Sequence, residues 1–206
     1  MTTAEEWLID YSLGTGNVVD VNPDLFEMPI KFDGREVDAF ILDVIGNKLV
    51  IQLVLPMVEL FDGKSNKYAT SYARKLINSN EFLHRFNSEF VKHVQLTKVH
   101  TEDYVTNDKL WLLSHEEINY CLDLLRSNHE CHAFEIFKTI ALETYSRMLL
   151  KNEIDAYGWW LRSAYSGTSL SNHSSIVGCV TRDGYVHHSN AYFAYGGTLC
   201  PACTIY

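Results

Sequence analysis

The clearest pattern in this chain of 206 residues is an apolar run that turns back on itself. Val37–Ile45 is rich in β-branched and aromatic residues, Gly46-Asn47 is a two-residue turn signal, and Lys48–Leu55 returns in kind before Pro56. Such side chains suit a pleated, half-buried surface, so the segment predicts a β-hairpin in the core.

A helical region follows. Tyr72, Leu76 and Ile77, then Phe82, Leu83, Phe86 and Phe90, recur at three- and four-residue spacing, as a helix burying one face requires. Asn78-Ser79-Asn80 divides them into two helices, with Ser79 as N-cap of the second. Lys109–Leu113 predicts a short buried strand. Ser114 and Glu117 have the spacing of a capping box at the start of a helix. Phe134, Phe137, Ile140, Ala141 and Met148 predict a further helix, from about Ala133 to Leu150. The first 35 residues mix turn signals, among them Gly14-Thr15-Gly16 and Asp33-Gly34. The first lacks the third glycine and following helix of a phosphate loop and reads as a surface turn.

The pattern changes at Tyr157. From there to Tyr206 the charged residues are Arg162, Arg182 and Asp183, and Ser, Thr, Asn, His, Tyr and Gly dominate. Short β-like pieces occur at 159–161, 175–180, 185–188 and 199–206, with Arg182-Asp183-Gly184 as a hairpin turn. No linker precedes this region. The expectation is one domain over 1–206: a scaffold of hairpin and helices over 1–156, and a β-rich ligand-binding segment over 157–206 that joins the Val37–Leu55 hairpin in one sheet system.

Composition fits that picture, with 47% hydrophobic and 21% charged residues. The net charge of −9 opposes a nucleic-acid interface, which needs a basic surface. Lys64 to Lys98, where basic residues concentrate, is interleaved with acids and reads as solvated helix faces. No apolar run reaches the roughly 18 residues of a membrane span, and the acidic N-terminus is unlike a signal peptide. A cytoplasmic or virion-associated protein is expected, with its five cysteines as free thiols.

Three stretches resemble a known family. Gly158-Trp159-Trp160-Leu161-Arg162-Ser163, the Asp183-Gly184 turn and the ending Pro201-Ala202-Cys203-Thr204-Ile205 resemble domain of unknown function 6273, common in Firmicutes and their prophages. Arg74-Lys75-Leu76-Ile77-Asn78 with Phe82, and Asn107 to Ser114 with Glu117, resemble its earlier segments in the same order. Where the family's closing strand carries an arginine, this chain has Cys200. The resemblance implies an α+β, C-type-lectin-like fold of the formylglycine-generating-enzyme branch, with small twisted antiparallel sheets and several packed helices.

The candidate ligand surface is Tyr165, Ser166, Thr168, Ser169, Asn172, His173, Ser174, Tyr185, His187, His188, Asn190, Tyr192 and Tyr195. Tyrosine gives large contact area at small entropic cost, and Ser and Asn give adaptable hydrogen bonds. This mixture resembles lectin-fold segments diversified by adenine-mutating retroelements. The expected partner is a protein or glycan, with homo-oligomers allowed, no nucleic acid and no membrane insertion.

Catalytic readings are weaker. Cys200-Pro201-Ala202-Cys203 has the spacing of a redox or metal pair, and the formylglycine-generating relatives are copper-dependent oxidases. Residues three apart on a strand point to opposite faces, however. His115-Glu116 is half a zincin motif without its second histidine, since Asn119 stands at that position. His187 and His188 diverge on a strand, and no nucleophile elbow is present. The expectation is a non-enzymatic binding protein with no cofactor or metal. The alternatives are a copper-dependent oxidase using Cys200 and Cys203, or an assembly protein using an acidic helical face.

Overall fold

The expected hairpin is present in the computed structural model, which describes residues 29–55, 57–101, 104–118, 133–150, 157–164, 175–192 and 197–206. Ahead of it, β1 (Lys31–Phe32) and β2 (Arg35–Glu36) flank Asp33-Gly34, whose φ values of 51° and 77° are those of a type I′ turn. β3 (Ala39–Ile45) and β4 (Lys48–Leu53) form the core hairpin. At their turn Gly46 takes a φ of 63° and Asn47 stays negative, the type II′ arrangement.

The helical region is shorter and more broken than the periodicity predicts. α1 (Tyr72–Ile77) is capped by Ser71, and α2 (Asn80–Leu83) by Ser79, whose hydroxyl accepts from the Phe82 amide at 3.1 Å. The second expected helix stops at Leu83 and resumes as α3 (Ser88–His93). Residues 85–87 pair with the first hairpin instead. The Asp33 amide donates to the Arg85 carbonyl at 2.9 Å, and the Asn87 amide to that of Lys31 at 3.0 Å. Phe32, Phe82, Phe86 and Phe90 still share one aromatic stack, with ring centroids 4.8 to 5.9 Å apart.

The strand expected at Lys109–Leu113 lies earlier. β5 (Thr97–His100) pairs with β6 (Val105–Asp108). Residues 110–113 are buried as extended chain tied by Trp111, which exchanges two backbone hydrogen bonds with Ala202. The helix expected over Ala133–Leu150 is two, α4 (Ile136–Thr139) and α5 (Leu142–Leu149), joined by extended Ile140 and Ala141. Packing explains the break. Phe137 and Tyr145 meet with centroids 4.7 Å apart, whereas eight residues along one helix are separated by about 12 Å.

The C-terminal strands are β7 (Gly158–Ala164), β8 (Ile176–Thr181), β9 (Val186–Asn190) and β10 (Ala202–Ile205). β10 joins the hairpin's sheet as expected, but β7, β8 and β9 do not, which corrects the expectation of one sheet system. β10 adds to β4 in the order β10-β4-β3, while β7-β8-β9 form a separate antiparallel sheet. The far edge of β7 is occupied: the Trp160 amide donates to the Thr198 carbonyl, the Thr198 amide to that of Gly158, and the Arg162 amide to that of Leu113. The chain thus crosses between sheets at Cys200-Pro201. Trp159, Trp160, Tyr145, Phe61, Phe82 and Phe90 are the largest fully buried side chains of the core. The described architecture is mixed α/β with small antiparallel sheets and five short helices.

Candidate functional site

The site rests on a frame of buried polar clasps, built by segments far apart in sequence. The Arg74 guanidinium donates to both oxygens of Asp108, at 2.9 and 3.1 Å through Nε, and Asp108 also accepts from Thr106 at 2.7 Å. The Asn78 side chain accepts from the amides of Lys109 and Leu110 and donates to the Leu110 carbonyl. The capping box expected at Ser114 and Glu117 is formed, at 3.2 and 2.9 Å, around a hydrogen-bonded turn. Glu117 does a second task that spacing did not disclose: both its oxygens accept from Arg162 of β7. The Arg162 side chain is 6% exposed, and it also donates to the carbonyls of His100 and Leu112. These four hydrogen bonds from a buried guanidinium fix β7 against residues 112–117.

On this frame stands the β8–β9 hairpin. Thr181 and Tyr185 close its three-residue turn, with the Thr181 amide donating to the Tyr185 carbonyl at 2.9 Å and Gly184 at φ 79°. The register runs without a bulge from Val180↔Val186 to Ile176↔Asn190. Among the predicted site residues, Tyr185 and Tyr192 are 74% and 54% exposed, and His187 and Asn190 are exposed. His188 is half-buried, as is its neighbour Ser189. Ile176, His188, Ser189 and Asn190 line an open concavity of about 240 Å³. Tyr165, Ser166, Thr168, Ser169, Asn172, His173, Ser174 and Tyr195 lie outside the described residues.

Two residues join the site that the sequence reading left out. Tyr157, 56% exposed, sets its ring 6.1 Å from that of His187. It stands where the composition changes, which was the available signal. His115, 7% exposed, packs edge to face on His188 with centroids 5.6 Å apart. No spacing rule links those two positions.

The thiol chemistry is suppressed by burial. Cys200 and Cys203 are fully buried, as is Cys179. Desolvation pushes the Cys179 and Cys200 thiols up to about 12 and raises Cys203 as well, so all three stay protonated near neutrality. Cys200 sits beside a buried relay in which Tyr145 donates to Gln52 at 2.7 Å and Gln52 donates to the Cys200 carbonyl at 2.8 Å. Among the described residues, no group of three or more His, Cys, Asp or Glu is placed to hold a metal ion. No helix of the described residues is long and apolar enough to cross a membrane.

The segments that clasp one another belong to a recognisable unit. A family model, "Domain of unknown function (DUF6273)", matches residues 48–206, well over half of the chain. The chain belongs to the DUF6273 family. The match takes in Arg74, Asn78, Asp108, Glu117 and Arg162, which here build the frame, as well as the whole β8–β9 hairpin. No curated protein and no solved structure matches the chain.

Proposed function

We propose that this DUF6273 protein is a non-enzymatic ligand-binding module that presents the β8–β9 hairpin and its flanks to a protein or glycan. The observation that carries the reading is a contrast of burial. Arg162, Asp108 and the three cysteines are locked inside, while His187 and Asn190 stand exposed on β9, a strand without a charged residue, and Tyr185 and Tyr192 stand exposed just before and after it. Tyrosines lose little side-chain entropy on binding and offer both stacking area and a hydroxyl. The buried, protonated thiols count against the copper-oxidase alternative, which needs accessible thiolates.

The reading extends to a C-type-lectin-like fold of phage or prophage type, with the polar segment 163–195 diversified by a retroelement. A neighbouring reverse transcriptase gene and a near-copy of the segment's coding sequence are its genomic test.

The binding test uses purified protein on a glycan array and on immobilised bacterial surface proteins. Tyr185→Ala with Tyr192→Ala is expected to abolish whatever signal the wild type gives, at an unchanged melting temperature. A signal kept by that double variant contradicts the assignment.

A further inference from the structure

His115 occupies a place that a side chain on β8 would deny it. A Cβ added at Gly178 would lie 2.4 Å from His115 Nε2, so the glycine opens the space that the imidazole fills. Gly178 is the ladder partner of His188, whose ring meets that of His115 at 79°. One imidazole comes from the capping-box turn, where the His115 amide donates to the Ser163 hydroxyl at 2.9 Å, and the other from β9.

We propose that His115 and His188 form an acid-sensitive latch, holding β9 against the capping-box turn while both rings are neutral and releasing it when they are protonated. The inference concerns the strand's own attachment and holds whatever the strand binds.

The ionisable groups on the packed elements support it. On the His115 turn they are Glu116 and Glu117, and Glu117 is committed to Arg162 of β7 through both oxygens. β8 contributes Cys179, a protonated thiol, and β9 contributes His187, whose charge opposes one on His188. Two imidazolium ions in one half-buried contact repel each other and lose their hydration together. Burial, then the neighbouring His188, holds His115 down to about 4, and burial, then His187, lowers His188.

The direction follows from linkage. A released His115 takes up its proton near 6.5, whereas the latched ring resists until about 4. The latch is therefore at full strength above 6.5 and weakens as pH falls towards 4. From His115 alone the loss in the closing equilibrium is about 150-fold at pH 4 and approaches about 300-fold below it.

Amide hydrogen exchange followed by NMR tests this, read as protection factors in β9 and β4 at about pH 7.5 and 4, with histidine Cε1–H titrations alongside. Wild-type β9 is expected to lose about 150-fold protection while β4 keeps its own, with His115 titrating near 4. His115→Gln, which cannot be protonated, is expected to cut that loss at least tenfold, whereas His188→Gln removes the neighbouring charge but not the burial and is expected to raise the His115 midpoint and cut the loss less. Equal losses in β9 and β4, an undiminished loss in His115→Gln, or a wild-type His115 midpoint near 6.5 overturns the latch. If either variant fails to fold, the wild-type midpoint and the β9-to-β4 comparison still decide.

Discussion

Gly184 is the point where the hairpin turn meets the scaffold, and replacing it by alanine measures how rigidly the strand is held. Its φ of 79° already costs an alanine about 1 kcal/mol. The larger penalty is steric. A Cβ there would lie 2.3 Å from the Cα of Glu143 and 2.4 Å from its amide nitrogen, in the first turn of α5. Neither is the tip of a flexible side chain, so the hairpin or the helix must retreat by about 1 Å, an overpacking cost of about 2 kcal/mol. Gly34 supplies the control, since its φ is 77° and nothing lies within 4 Å of its Cβ position. Both substitutions restrict the unfolded chain equally, so the difference isolates the contact. Gly184→Ala is expected to cost about 3 kcal/mol and about 6–12 °C of melting temperature, and Gly34→Ala about 1 kcal/mol and about 2–4 °C. Urea and thermal unfolding followed by circular dichroism measure both. If the two variants melt within about 2 °C of each other, the hairpin is not seated on α5 as described.

Further predictions come from the buried groups. Glu117→Ala leaves the Arg162 guanidinium buried without its carboxylate and is expected to cost about 3–5 kcal/mol in urea unfolding. A loss below about 1 kcal/mol would mean that the guanidinium reaches water. Tyr145→Phe removes the donor to Gln52 Oε1 and is expected to cost about 1–3 kcal/mol by the same assay; a neutral result would deny the relay. In a Cys121→Ser, Cys131→Ser background, Cys179, Cys200 and Cys203 are expected to resist a thiol reagent at pH 8 until denaturant is added. Rapid labelling of the native protein would reopen the oxidase alternative.

Much of the fold was legible because local signals and tertiary packing agreed. Gly46-Asn47 between two β-rich runs, the Ser79 cap, the Ser114–Glu117 box and the Gly184 turn all appear where spacing put them. The failures share a cause. Periodicity marks which residues are buried but not where the backbone must break to bury them. Phe86 and Phe90 keep their helical spacing across a break imposed by the first hairpin, and Phe137 and Tyr145 meet because the chain between them is extended. β10 pairs with β4 across about 150 residues of sequence, a contact that no local pattern in either segment records. The exposed tyrosines were readable from composition, since a polar segment with few charges points outward when nothing apolar requires it inside. The His115–His188 contact depends on a missing Cβ at Gly178, which no pattern within either segment records.

The most direct measurement pairs affinity with melting temperature for two variants against one ligand found on the array. Tyr185→Ala with Tyr192→Ala should weaken binding at least about 30-fold at a constant melting temperature, as truncated interface tyrosines do. Gly34→Ala should lower the melting temperature and leave the affinity alone. Undiminished affinity in the tyrosine variant would contradict the assignment of ligand contact to the β8–β9 hairpin.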